Sequence, residues 1–299
     1  MNTESLHRWI YQMYDIEAAS LGRCGAKSFS IRDGEGLEWL LVTGEPVLPE
    51  GETARWLEAE SDISIKKTVE GDKLADAGER GLAYMYEKKS GNHGSARMEE
   101  SDYRQLGASL AVKHRSWHEK LPMNDKESLS LAEHTVQAEY RQMHMLLPKG
   151  QTVIRQSIEA LFPVVQRAVR GPDGTGFVFR EMNWKQGGPG EGLLFPGAMP
   201  GVHVSLYDLA ALLRSILLAF SGEGDYQPFA RMVFNELLAG YDSVQSIPLP
   251  SLQQFANILE WHDLYQYALL WQKAGTSAEA AVRVREQLRL EHRLPLLEI

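Results

Sequence analysis

Cysteine is almost absent. Cys24 is the only one in 299 residues, so no intrachain disulfide can form. A lone cysteine of this kind reads as a packing residue, and nothing in its sequence neighbourhood activates the thiol. Excess positive charge is missing too. Lys and Arg total 31 against 40 Asp and Glu, and the net charge of −9 weakens any case for nucleic acid or an anionic membrane as main partner. Apolar runs are too short and interrupted to span a bilayer. The first residues carry no apolar secretory region. No internal repeat or long low-complexity tract is visible. These absences lead to the expectation of a soluble, cytoplasmic chain. What is present is a composition 43% hydrophobic and 24% charged, enough for a sizeable core in one large domain or two lobes.

The first 95 residues read as strands with little helix. Leu6, Trp9, Ile10, Met13 and Ile16 lie along one side of a helix over residues 1–20. Lys27 to Ile31 and Leu37 to Val42 are strand-like and flank Arg32-Asp33-Gly34-Glu35-Gly36, a hairpin turn signal. Gly22 and Gly25 before them read as turn chemistry. Gly51 to Glu60 reads as a short helix, and Gly81 to Glu87 as the clearest later strand. Lys66 and Lys67 read as solvated charges that guard a strand edge. Ser90 to Ser95 reads as a linker, with His93 a loop residue.

From Glu99 onward the pattern is helical. Tyr103, Leu106, Leu110 and His114 share a face, and His118 lies four residues beyond His114. Two histidines do not make a metal site, which wants three or four ligands, so His114 reads as a buried or capping residue. Residues 127–147 form an amphipathic helix on Leu131, Val136, Tyr140, Met143 and Leu147, where His134 and His144 read as part of a packing stripe. Another helix spans residues 152–169, and three more cover 227–240, 250–273 and 276–291.

The stretch from Phe177 to Phe220 organises the rest. A short apolar strand enters a polar loop at 179–186, a second strand follows at Leu193-Leu194-Phe195, and a Gly/Pro-rich crossing leads to a long helix. Leu209, Leu212, Leu213, Ile216, Leu217 and Phe220 recur at helical spacing, and the helix is apolar on most sides, so it belongs deep in a core. Ser205 and Asp208 have capping-box spacing at its start. Asp208 also suits the positive end of the helix dipole.

Tyr207-Asp208-Leu209-Ala210 with Leu212-Leu213-Arg214 resembles the helix after the metal-binding loop in the aminoglycoside phosphotransferase and choline-kinase-like group. Gly107-x-x-Leu110-Ala111-x-x-His114 resembles the first helix of the larger lobe in the same group. The nearest variant is the spore-coat kinase-like branch of Bacillus-type bacteria. The resemblance implies an α+β, protein-kinase-like two-lobed fold. A small antiparallel-sheet N-lobe with its hinge would occupy residues 1–95, and a mostly helical C-lobe residues 96–299. It also implies a catalytic loop of pattern His-Gly-Asp-x-x-x-x-Asn, here Phe179-Arg180-Glu181-Met182-Asn183-Trp184-Lys185-Gln186. Glu181 then stands at the catalytic Asp and Gln186 at the metal-binding Asn, with Asn183 close enough to compensate, while Asp208 supports the loop. The metal segment would fall at Pro196-Gly197-Ala198, which has no carboxylate.

Phosphoryl transfer depends on positioning and electrostatics, with cations on the phosphates and an acceptor for the incoming hydroxyl's proton. Glu181 has the chemistry of a base but one methylene too many. A displacement of about 1 Å costs roughly 10²-fold. The strand Trp39-Leu40-Leu41-Val42-Thr43-Gly44 lacks the lysine that such a lobe places near its end. Lys66 and Lys67 are displaced candidates. The favoured reading is a pseudokinase with a binding or structural role, no cofactor, and a protein partner, which the resemblance places among spore-coat proteins. The alternative is an active small-molecule phosphotransferase using ATP and Mg through Glu181 with Lys66 or Lys67. An unrelated α+β interaction protein would instead lack two lobes.

Overall fold

The computed structural model describes residues 3–23, 28–44, 48, 50–59, 65–78, 81–87, 98–121, 123–171, 175–180, 182–186, 192–196, 200–219 and 226–274. Expectations for Cys24, Gly25, Glu60, the 90–95 linker with His93, Glu181, Gly197, Ala198 and the 276–291 helix lie outside these residues.

The N-terminal lobe is built on one antiparallel sheet. Its strands are β1 (Ala18–Arg23), β2 (Ser28–Asp33), β3 (Glu38–Gly44), β4 (Ile65–Lys66), β5 (Ala75–Asp76) and β6 (Leu82–Glu87), in the order β1-β2-β3-β6-β4, with β5 also paired to β6. Helix α1 (Thr3–Tyr14) lies against it. The expected helix over residues 1–20 therefore ends early. Asp15 takes a positive φ of 52°, which breaks the helical path, and residues 18–23 become an edge strand.

The β2–β3 turn shows how local chemistry sets the register. Asp33 accepts backbone N–H bonds from Glu35 at 3.0 Å and Leu37 at 2.8 Å, and the Trp39 indole N–H at 2.9 Å. Gly36 supplies the left-handed φ of 87° that the turn needs. Side chains then alternate between faces. Ile31, Trp39, Leu41 and Met85 join Leu6, Ile10 and Tyr14 of α1 in one core. Leu40, Val42, Tyr84 and Tyr86 face the other way, toward Trp56 and Leu57 of α2 (Glu50–Ala59), in a core that continues into the helical lobe. Being covered on both faces explains why β3 reads as the unbroken apolar run Trp-Leu-Leu-Val.

The helical lobe contains α3 (Glu100–Lys120), α4 (Asp125–Leu146), α5 (Thr152–Val169), α6 (Leu206–Ala219), α7 (Tyr226–Asp242), the short α8 (Leu249–Leu252) and α9 (Phe255–Ala274). Two small sheets interrupt it. Strand β7 (Gly176–Val178) pairs with β10 (Gly201–His203), and β8 (Met182–Gln186) pairs with β9 (Gly192–Pro196). Helix α6 is buried almost all round, from Leu206 and Tyr207 to Ile216 and Leu217. At the α3–α7 crossing, glycines meet backbone directly. A Cβ on Gly240 would stand 1.8 Å from the Arg104 carbonyl oxygen, and one on Gly107 would stand 2.0 Å from that of Leu237. Among the described residues no helix is long and apolar enough to cross a membrane.

Candidate functional site

Strand β7 delivers Phe179 and Arg180 to the heart of the C-lobe. Arg180 has a φ of 66°, in the left-handed region that glycine occupies freely and other residues enter at a cost of about 1–2 kcal/mol. In the family pattern this position is Gly. Here an arginine adopts the left-handed shape, and a set of buried partners holds it there.

Asp208, fully buried at the start of α6, makes the first of these contacts. Its carboxylate accepts the backbone N–H of Phe179 at 2.8 Å and of Arg180 at 3.1 Å. His114 Nε2 lies 3.0 Å from the same carboxylate, and His114 Nδ1 lies 2.8 Å from the Tyr241 hydroxyl. The expected capping-box role gives way, because both Asp208 oxygens serve the β7 exit and the Ser205 hydroxyl serves Tyr241.

The Arg180 side chain turns inward. Its Nε donates to Glu139 Oε1 at 3.0 Å and its Nη2 to the Tyr265 hydroxyl at 2.9 Å. Glu139 also accepts from Tyr207 at 3.0 Å and from the Trp261 indole at 2.7 Å. Tyr265 donates onward to Gln142 at 2.9 Å. Burial lowers the guanidinium's pKa, Tyr265 and Glu139 raise it, and the net direction is upward, so the charge persists. Gly201 on β10 makes the space, since a Cβ there would lie 2.5 Å from Arg180 Cδ. A charged pair this deep is compensated only if its remaining donors and acceptors are met, and Tyr207, Trp261 and Tyr265 meet them.

Two histidines border this network. His203 Nδ1 accepts the Val204 N–H at 2.9 Å, leaving Nε2 without a partner among the described residues. Burial, with Arg180 adding to it, pushes His203 down to about 3. Burial, with Arg214 and Arg180 adding to it, brings His262 to about 3 as well. Both folded values lie below the ordinary 6.5, so the unfolded chain binds more protons between those limits. Stability is therefore full above about pH 6.5 and falls as the pH drops toward 3. Urea midpoints should fall between pH 7 and pH 5, and by less in His203→Gln than in the unaltered chain.

The side of the loop toward the N-lobe is aromatic. Trp56 of α2 stands 6.0 Å from Phe179, 5.6 Å from Trp117 and 6.3 Å from Tyr84, ring centre to ring centre. Phe179 and Trp117 are 4.7 Å apart, and the Lys113 ammonium lies 5.9 Å from the Phe179 ring centre. The β3 side chains on this face are Leu40 and Val42.

Of the sequence-predicted site residues, Asn183 and Gln186 are described in backbone position, and Glu181 lies outside the described residues. Residues 182–186 form β8, so the expected loop over 179–186 is a strand beginning one residue after Glu181. Asn183 pairs in register with Phe195, and Gln186 pairs with Gly192 at the opposite end of the ladder from Met182. The four residues between Glu181 and Gln186, Met182 to Lys185, are thus extended and paired with β9. Lys66 lies on edge strand β4 with its ammonium 5.6 Å from the centre of the Trp39 ring, a side chain of the α1-facing core. Lys67 follows it, exposed. His114 is buried and His118 exposed. His134 is exposed, and His144 faces Arg155 at 2.9 Å.

Arg180, Glu139, Gly201 and Trp56 escaped the sequence reading. One signal was available for Glu139: it shares a helix face with Thr135, Val136, Gln142 and Met143, so a carboxylate sits inside an apolar stripe. Arg180 and Gly201 carry no local signal, because their pairing joins separate strands.

No family model matches the chain, and no curated protein does. Solved structures do. The amicoumacin kinase hAmiN, in complex with AMP-PNP, Ca2+ and Ami, superposes with a TM-score of 0.68 at 17% identity, covering 100% of this chain and 96% of that one. The microcompartment-associated aminopropanol kinase gives 0.58 at 15% identity over 97% and 95% of the two chains. Choline kinase LicA from Streptococcus pneumoniae gives 0.55 at 13% identity over 97% and 98%. The chain therefore has the two-lobed α+β fold of these small-molecule kinases.

Proposed function

We propose that this chain is a kinase-fold protein that does not transfer phosphate and that works by binding a protein partner. The observation that carries this reading is the face between β3 and α2. A phosphotransferase of this architecture needs a lysine on the nucleotide phosphates and carboxylates for magnesium. Leu40 and Val42 occupy the α2-facing side of β3, and Trp56 fills the space opposite against Tyr84 and Phe179. The described residues of this face do not fit a nucleotide–magnesium pair. Among the described residues Leu40, Val42 and Trp56 supply neither cation nor carboxylate, the nearby Lys113 ammonium comes from α3 and not from β3, and residues 182–186 are extended in β8. Association with a spore coat, which the sequence resemblance implies, is the finer part of the proposal.

Thermal melting with magnesium and ATP tests it. A ligand at 100 times its Kd stabilises the native state by about 2.7 kcal/mol, and in a chain of this size that raises Tm by roughly 4 °C. No rise is expected here up to millimolar ATP. A rise that grows with ATP and requires magnesium would favour the active reading, with Glu181 as base and Lys66 or Lys67 as phosphate cation. Recovery of the protein in a coat extract of spores, and its absence there, decide the finer part.

A further inference from the structure

We propose that a cavity on the C-lobe, distinct from the face between the lobes, binds an amphipathic organic anion bearing one hydrogen-bond donor. The cavity has a volume of about 600 Å³ and lies among α3, the α3–α4 connection, the end of α5 and the start of β7. That volume lies within the range of small-molecule sites, roughly 300–1,000 Å³. Three features of its lining set the ligand class.

Leu121, Leu129, Val169, Phe177 and Val244 form its apolar wall. This wall suits a ring or a short branched chain. Among the described lining residues, Arg115, His118 and Arg170 stand at the rim with the carboxylate of Asp125. Arg170 is already paired with Glu133 at 2.6 Å. Arg115 is exposed and has no ion-pair partner among the described residues. With Arg170 engaged by Glu133, Arg115 is the described rim cation left to meet an incoming anion on a chain of net charge −9. Inside, Gln245 Oε1 is buried with no partner among the described residues. A buried acceptor left so is unfavourable, and a ligand N–H or O–H satisfies it.

His114 and Ser205 also line the cavity. His114 is one hydrogen bond from Asp208, which holds the Phe179 and Arg180 amides. Ligand packed on His114 therefore restrains that turn. The site requires no nucleotide, and its existence does not depend on the reading given under Proposed function.

The probe is 8-anilinonaphthalene-1-sulfonate, which joins an aromatic body, a sulfonate and one N–H. Fluorescence titration should show saturable binding to the full chain. Arg115→Glu, an exposed change that leaves the fold intact, should weaken it at least tenfold. Leu129→Trp, which fills the cavity, should abolish it. Amide exchange at Phe179 and Arg180 should slow in the complex. Absence of saturable binding overturns the proposal, as does equal affinity for Arg115→Glu, whether or not Leu129→Trp folds. Unchanged exchange at both amides with binding intact overturns the link to the turn.

Discussion

Gly240→Ala should lower the melting temperature by roughly 5 °C, the equivalent of about 3 kcal/mol in a chain of 299 residues. In most helices the same change stabilises, because alanine is the better helix former by about 1 kcal/mol. The sign reverses here because the new methyl would stand 1.8 Å from the Arg104 carbonyl oxygen and 2.7 Å from its carbon. Both atoms are backbone, so no rotamer change relieves the overlap, and α3 and α7 must part. Overpacking of this kind costs about 1–3 kcal/mol, at times more, and the distance argues for the upper end. Gly107→Ala should behave alike, its methyl meeting Leu237. Parting the helices also draws Tyr241 away from His114 and loosens the turn at Arg180. Gly51→Ala, on α2 with nothing within 4 Å, is the control and should be neutral or mildly stabilising. An unchanged melting temperature in Gly240→Ala would mean that the two backbones do not touch.

Glu139→Ala should cost about 3–5 kcal/mol, read from urea unfolding, because it strands the buried Arg180 guanidinium. The loss is wider than one ion pair. Tyr207 and Trp261 lose their acceptor as well. Arg180→Gly in the same chain should recover part of the loss, since it removes the stranded charge and relaxes the φ of 66° together. If Glu139→Ala unfolds within about 1 kcal/mol of the unaltered chain, the network is not what holds Arg180.

How much of this was legible in the sequence follows from the range of each interaction. The hairpin at Asp33 was readable because its bonds close over two to six residues. Helix α6 was readable because its apolar residues keep helical spacing. The end of α1 was missed because a single residue, Asp15, turns the chain against an apolar pattern that continues to Ile16. Residues 182–186 read as loop but form a strand, because their polar letters, Met-Asn-Trp-Lys-Gln, hide a pairing with Gly192–Pro196 that lies beyond the segment itself. Lys66 was ambiguous as a letter, and strand order is what puts it beside Trp39. The Arg180 clamp was out of reach, because nothing near residue 180 names Glu139 or Gly201.

Every tie on Arg180 comes from far along the chain: Glu139 is 41 residues away, Asp208 is 28 and Tyr265 is 85. Contacts so separated form only after long loops have closed, an entropic toll that slows folding. Among the described residues the left-handed turn has no local bond to template it, so its formation should follow the docking of α4, α6 and α9. Maturation of this corner is thus a late event, and a nascent chain cut short of residue 265 would carry the arginine without its tyrosine partner.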